Sequence, residues 1–379
     1  MKTDLLRLKG NNLSQIEKAY IRELLGVTPA IEEIKQVAGT SYIYVTGKST
    51  PTANFTELQL AYTAATNLSP NGSAKSDTNR VTIVVGPGTY QGTINFNTPY
   101  VNVVSLTGQC DVRINGITIS VDYGHYVGLE SYGSSINDDS KRFILGNNLS
   151  HIVLEKCKCD ILTSFGVNHS TYMGSTIVSG TFIDCEASSS GFATNEIASG
   201  TFIRCTGGGY SFGSNGTASG IFVDCTSTGS SAFAGSNGQS QSPIASGTFT
   251  RCKGIGGKAF GVASASGVFI ECIGGPCSFT SNAVSSNPNC TGTFYRCQAG
   301  QYSYGGAYGG LTGTFSGKAF SCIGGEGSFG STVITGKLRN CIMEAQGSPI
   351  TNTNVTFPNC TGAGKIVNCI DATDAVITK

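Results

Sequence analysis

The chain of 379 residues has no tryptophan, 3 histidines, 10 prolines and only 12% charged residues. His125, His151 and His169 are too scattered to form a triad or a metal site by spacing. The 24 basic and 23 acidic residues leave a net charge of +1. No local Lys/Arg cluster marks a polyanion-binding surface, so nucleic acid is not an expected partner. No stretch approaches the roughly 18 apolar residues of a membrane span. The opening Met1 to Gly10 is broken by charge and lacks the apolar run of a signal peptide, so folding in a cytoplasm is expected. Cys-x-x-Cys pairs are missing; Cys157 and Cys159 are the one close pair. No metal or cofactor site is expected.

What the chain has in excess is glycine, 52 residues, and cysteine, 15 residues, and both follow from one repeated phrase. It reads Ser-Gly-Thr-Phe-Ile-Asp-Cys at 179–185, Ser-Gly-Thr-Phe-Ile-Arg-Cys at 199–205 and Ser-Gly-Ile-Phe-Val-Asp-Cys at 219–225. Further copies end at Cys252, Cys272 and Cys297, looser ones at Cys322, Cys341 and Cys369, and Cys157 begins the series. Self-similarity at a near-fixed period means stacked supersecondary units. Coils of about 20–28 residues, each with two or three short strands, fit a parallel β-helix better than helical solenoids or propellers. Ten cysteines at one place in the phrase read as a stacked column of buried thiols, because a buried free cysteine behaves as a small hydrophobe.

Within a coil, strict alternation would put Phe182 and Asp184 on one face. In six copies the Phe position is aromatic and the Asp position charged, and an aromatic column and a charged one do not share a buried face. A corner is therefore expected at Ile183-Asp184, with Phe182 and Cys185 both inward. The preceding Ser-Gly supplies a second corner through glycine's backbone freedom. The residue before each cysteine alternates in sign: Asp184, Arg204, Asp224, Arg251, Glu271, Arg296. Stacked in register, each acid would lie between two bases, and a slip of one coil would oppose like charges. Lys156 could extend this charge ladder, and Ser321, Asn340 and Asn368 end it. A second aromatic column (Phe165, Phe192, Phe212, Phe233, Phe260, Phe279, Tyr304, Phe329) reads as core stacking rather than a sugar-binding strip, its rings sitting beside glycine and alanine at regular spacing.

The first 40 residues differ. Ser14 to Glu17 is a capping box, and Leu13, Ile16, Tyr20 and Leu24 stand at helical spacing through it and beyond. Thr28-Pro29 is a second start signal, with Ile31, Ile34 and Val37 near one face. Residues 1–40 are thus expected to be a helical docking segment, 41–80 a strand and capping helix, and 81–379 the β-helix, with the Cys/Phe repeats at 150–379. Asn54 caps a helix that carries Leu58, Ala61, Tyr62 and Ala65 on one face. The strand Val81 to Val85 follows and is stopped by Gly-Pro-Gly-Thr-Tyr90.

That helix, buried strand and Gly-Pro-Gly-Thr-Tyr resemble the entry of right-handed parallel β-helices of the pectin lyase-like type, in which a helix plugs the first coil. The repeat itself looks like the β-helical virion proteins of tailed bacteriophages, of tail spike or fibre type. The resemblance implies an all-β right-handed parallel β-helix with a short N-terminal helical segment. It also implies an N-terminal anchor to other virion proteins, contact with a host surface glycan or receptor, and homotrimers. Pectin lyase-like enzymes cut acidic polysaccharides. Here the acids of the repeat have arginine partners, which lower a carboxyl pKa and make a poor general acid. Asp122, His125, Glu130, Asp138 and Asp139, with Lys141 and Arg142, form the remaining cluster; Asp138 and Asp139 are the candidate catalytic pair, against a solvated loop. Tyr302, Tyr304 and Tyr308 are candidate contact residues. A non-catalytic virion protein is the leading expectation. The alternatives are a polysaccharide depolymerase, lyase or hydrolase, and a bacterial surface adhesin.

Overall fold

The structure is a computed structural model. It describes residues 35–37, 40–45, 51–132, 143–159, 177–188, 191–193, 197–213, 216–234, 243–261, 263–280, 289–306, 313–325, 327–330, 333–343, 359–360, 364–370 and 375–379. Short strands climb as a parallel β-solenoid, forming two sheets of 15 strands and, on the third side, sheets of 5 and 4 strands. One coil shows the plan. Thr181–Ile183 lies in the first long sheet, Glu186–Ala187 in the second, and Ile197–Ala198 on the third side, before Thr201–Ile203 pairs with Thr181–Ile183 one level up.

At the entry, the helix α1 (Pro51–Asn67) closes the first coil. Leu58, Ala61, Tyr62 and Ala65 are buried. The Tyr62 ring meets Phe96 edge-on at 5.3 Å. Its hydroxyl accepts from the Asn97 and Thr98 amides at 2.7 and 3.0 Å, tying the helix to the strand below. The helix begins three residues before Asn54, which is inside it rather than at its cap. Lys35–Val37 is a strand, antiparallel to Thr40–Val45, so Val37 does not continue a second helix. The other residues of the two expected N-terminal helices lie outside the described residues.

The corner expected at Ile183-Asp184 is made by one backbone conformation. Lys156, Asp184, Arg204, Asp224, Arg251, Glu271, Arg296, Ser321, Asn340 and Asn368 all have φ between 49° and 55°. This left-handed region costs a non-glycine residue on the order of 1–2 kcal/mol, and here the corner geometry imposes it. It turns the chain so that Phe182 and Cys185 are both buried on either side of an outward Asp184. The amide of each corner residue donates to the coil above: Asp184 to Ile203 O, Arg204 to Val223 O, Asp224 to Thr250 O, each at 2.8–2.9 Å.

The Ser-Gly corner works differently from the expectation. Gly180 alone of this column has a positive φ, 94°. Gly200, Gly220, Gly247, Gly267, Gly292, Gly317 and Gly336 are required by space instead. A Cβ on any of them would press into the backbone carbonyl oxygen of the glycine one coil below.

Two aromatic columns fill the interior. Phe182, Phe202, Phe222, Phe249, Phe269 and Phe294 stack at 4.8–4.9 Å between ring centres. Phe192, Phe212, Phe233, Phe260, Phe279, Tyr304 and Phe329 stack at 4.7–5.0 Å. The columns meet edge to face at 5.2–6.0 Å, a favoured arrangement of ring quadrupoles. Rings of the second column also sit at positive φ, 42–61°. Where the first column shrinks to Ala319, the third side enlarges from Ala265 and Cys290 to Phe315, which reaches Phe294 at 6.2 Å. One coil thus exchanges a large residue for a small one across its own corner and keeps the volume filled.

Candidate functional site

Each catalytic candidate outside the repeat that the structure describes is engaged by its own partner. Asp122 accepts from the His151 amide at 2.9 Å and lies 3.3 Å from its Nδ1. His125 Nε2 is 3.7 Å from Glu155, and burial pushes its imidazole below the ordinary value despite that carboxylate. Glu130, largely buried, accepts from Arg113 Nε at 2.9 Å. Asp122, His125 and Glu130 are each held by a different residue rather than by one another. Asp138, Asp139, Lys141, Arg142 and His169 lie outside the described residues. Among the described residues, no three His, Cys, Asp or Glu side chains gather to hold a metal ion, and no helix is long and apolar enough to cross a membrane.

The corner charges pair in twos. Arg204 grips Asp184 with Nε and Nη2 at 2.6 and 2.7 Å, and Arg251 grips Asp224 at the same distances. Arg296 bonds a single oxygen of Glu271 at 2.9 and 2.6 Å. Each acid is thus bonded by the base one coil above. The base below acts on Asp224 only through space, and Lys156 acts on Asp184 in the same way. Above the last arginine an amide pair takes over, Asn368 Nδ2 donating to Asn340 Oδ1 at 3.1 Å.

Reversing the central acid, Asp224→Arg, would place three cations on successive coils. We expect Tm to fall by about 2–4 °C, with the loss shrinking in high salt. Adding Arg251→Asp should recover most of it. An unchanged Tm for the single variant would show that the corner charges do not hold the register.

Acid should act on the same pairs. The hydrogen bonds from Arg204 and Arg251 hold the Asp184 and Asp224 carboxyls below the ordinary aspartate value. A carboxyl whose folded pKa is depressed stabilises the fold above its unfolded value, about 3.9, and loses that contribution as pH falls through the folded value. Tm is expected to be level between pH 7 and 5 and to drop below about pH 4. In Asp184→Asn/Asp224→Asn the drop should be shallower, from a lower plateau.

Cys157, Cys185, Cys205, Cys225, Cys252, Cys272, Cys297, Cys322, Cys341 and Cys369 are buried free thiols. Eight of them also make a bond that the sequence does not advertise. Cys205 Sγ donates to Phe182 O at 3.4 Å, Cys225 to Phe202 O at 3.3 Å and Cys252 to Phe222 O at 3.4 Å, each onto the coil below. A thiol is small enough for this crowded corner and is still a weak donor. Burial pushes the Cys185 and Cys252 thiols well up, away from the reactive thiolate.

Tyr304 is fully buried in the aromatic column and is not a surface contact. Tyr302 is partly buried, and Tyr308 lies outside the described residues. A surface feature that sequence reasoning missed occupies the first coils. There the Ser-Gly corner is replaced by Arg80, Tyr100, Tyr123 and His151, stacked at 5.5, 5.0 and 4.6 Å. The signal was register alone: Val81 pairs with Val101, which puts Arg80 beside Tyr100.

No family model matches the chain, and no curated protein matches it. A solved structure described as "Geobacillus virus E2 - ORF18" is similar, with a TM-score of 0.36 and 13% identity over 89% of this chain. The match covers 66% of that protein's own length.

Proposed function

We propose that this chain is a non-catalytic structural protein of a bacteriophage virion, a β-helical tail spike, fibre or decoration protein. Residues 1–40 dock it on other virion proteins, and the solenoid contacts the host surface. One observation carries the reading: the chemistry-bearing side chains of the repeat are spent on neighbouring coils. The acids bond arginines one coil up, the thiols bond carbonyls one coil down, and the aromatic rings stack inside. Such a stack of coils is suited to holding and presenting rather than to chemistry along its repeat. Its outer face also carries apolar side chains available to partners: Ile221 is 50% exposed, Val268 38% and Tyr295 39%.

The test is to raise antibodies against the purified chain and probe phage particles from lysed host cells by immunogold microscopy. Labelling of particles is expected. Label confined to the soluble fraction would overturn the reading. So would release of oligosaccharide from host surface glycan that is lost on Asp138→Ala or Asp139→Ala, which would make the chain a depolymerase.

A further inference from the structure

Near the C-terminal end, the outer face of the first long sheet carries a row of lysines brought together only by register. Lys318 pairs with Lys337, and Lys337 with Lys365. Strands in a sheet are about 4.8 Å apart, so the row spans roughly 10 Å. Arg339, two residues after Lys337 on the same strand, faces the same way. All four side chains are exposed, and none forms an ion pair with a carboxylate among the described residues.

Like charges directly opposite one another on neighbouring strands destabilise a sheet. The same chain avoids that arrangement at its corners, where Asp184, Asp224 and Glu271 each lie below an arginine. A row of cations with no carboxylate partner among the described residues, in a protein of net charge +1, therefore stands out as a place for an external anion. Register spaces the row evenly, one lysine per coil, which suits a linear polymer with a charged group on successive units. Beside it, Tyr295 and Phe320 stack on each other at 5.1 Å and 9°. Their facing surfaces cover one another, which disfavours the base stacking that single-stranded nucleic acid needs.

We propose that Lys318, Lys337, Lys365 and Arg339 bind an anionic polysaccharide through its carboxylate or sulfate groups. The proposal rests on the virion reading and names the class of host-surface ligand that the solenoid contacts. Flexible ammonium groups act as point charges and tolerate varied anion geometry, so the row selects for charge along the polymer more than for one sugar.

The experiment uses the purified full chain with immobilised heparin and with polygalacturonate as anionic glycans, neutral dextran as blank, and single-stranded DNA as the other polymer class. Binding to both anionic glycans but not to dextran is expected, weakening linearly in log affinity against log salt. The triple variant Lys318→Gln/Lys337→Gln/Lys365→Gln should lose about tenfold or more and show a shallower salt slope. Its Tm should be no lower than that of the parent, since like-charge repulsion is removed. The charge-matched variant Lys158→Gln/Lys253→Gln/Lys258→Gln, altered on other faces, should bind as the parent does. Equal losses in both variants, no binding by the parent, or tighter binding to DNA than to the glycans would each overturn the proposal. None of these outcomes depends on particle labelling, so the row and the virion assignment fail separately.

Discussion

Replacing Phe222 by alanine should destabilise the middle of the solenoid by about 3–5 kcal/mol, toward the upper end of that range. The ring is fully buried and stacks on Phe202 and Phe249 at 4.9 and 4.8 Å. It also meets Phe212 and Phe233 edge to face at 6.0 and 5.8 Å. Losing it removes transfer free energy, leaves a cavity and breaks ring pairs worth about 0.5–1.5 kcal/mol each beyond their area. The cavity cannot collapse easily, because the backbone above and below is fixed by parallel pairing of Ile221–Val223 with both neighbours. A solenoid approximates a one-dimensional chain of nearest-neighbour interfaces, so the damage should be local. Hydrogen exchange is the measurement: amides of 201–207 and 248–254 should lose protection strongly, and those near α1 hardly at all. Uniform loss along the whole chain would mean that the coils unfold as one unit.

The repeat was legible because its inward residues are few in kind. In the six closest copies, the phenylalanine and cysteine that stand where Phe182 and Cys185 do reveal the buried sides, and the charged residue between them can only be a corner. The backbone state of that corner was not legible. A left-handed position usually announces itself as glycine or asparagine, and here Arg204, Arg251 and Arg296 occupy it because the corner geometry imposes it on whatever residue stands there, Lys156 and Ser321 included. The glycines misled in the opposite direction: their regularity suggested unusual dihedrals, when the constraint is contact between stacked backbones. The candidate cluster of Asp122, His125 and Glu130 looked compact in sequence, but alternation and a turn send the three to different partners. The lysine row is the converse case. Its members are 19 and 28 residues apart, so composition and local charge runs cannot show it, and only register places them side by side.

Gly247→Ala should be about as damaging as a deletion in the core, although it adds one methyl group. The new Cβ would fall against the carbonyl oxygen of Gly220 and close to Ser219 C at 2.8 Å and Gly220 N at 3.0 Å, all of them backbone atoms. No rotamer change relieves such a contact, so the two coils must separate or tilt. Separation is opposed on both sides of the corner. Gly247 N donates to Ala218 O at 3.1 Å, and Thr248 N donates to Gly220 O at 3.0 Å. Overpacking of this kind costs about 1–3 kcal/mol where side chains can yield, and a backbone obstacle places this site at or above the top of that range. Gly257→Ala is the contrasting case, since its Cβ would meet only Pro276 O at 3.3 Å and a small shift suffices. The pair should differ by several degrees in Tm, or, where unfolding is not two-state, in the protection of Thr248–Thr250. Equal tolerance of both substitutions would mean that the glycine column reflects dihedral preference after all, and that the coils are not stacked as closely as the carbonyl contacts require.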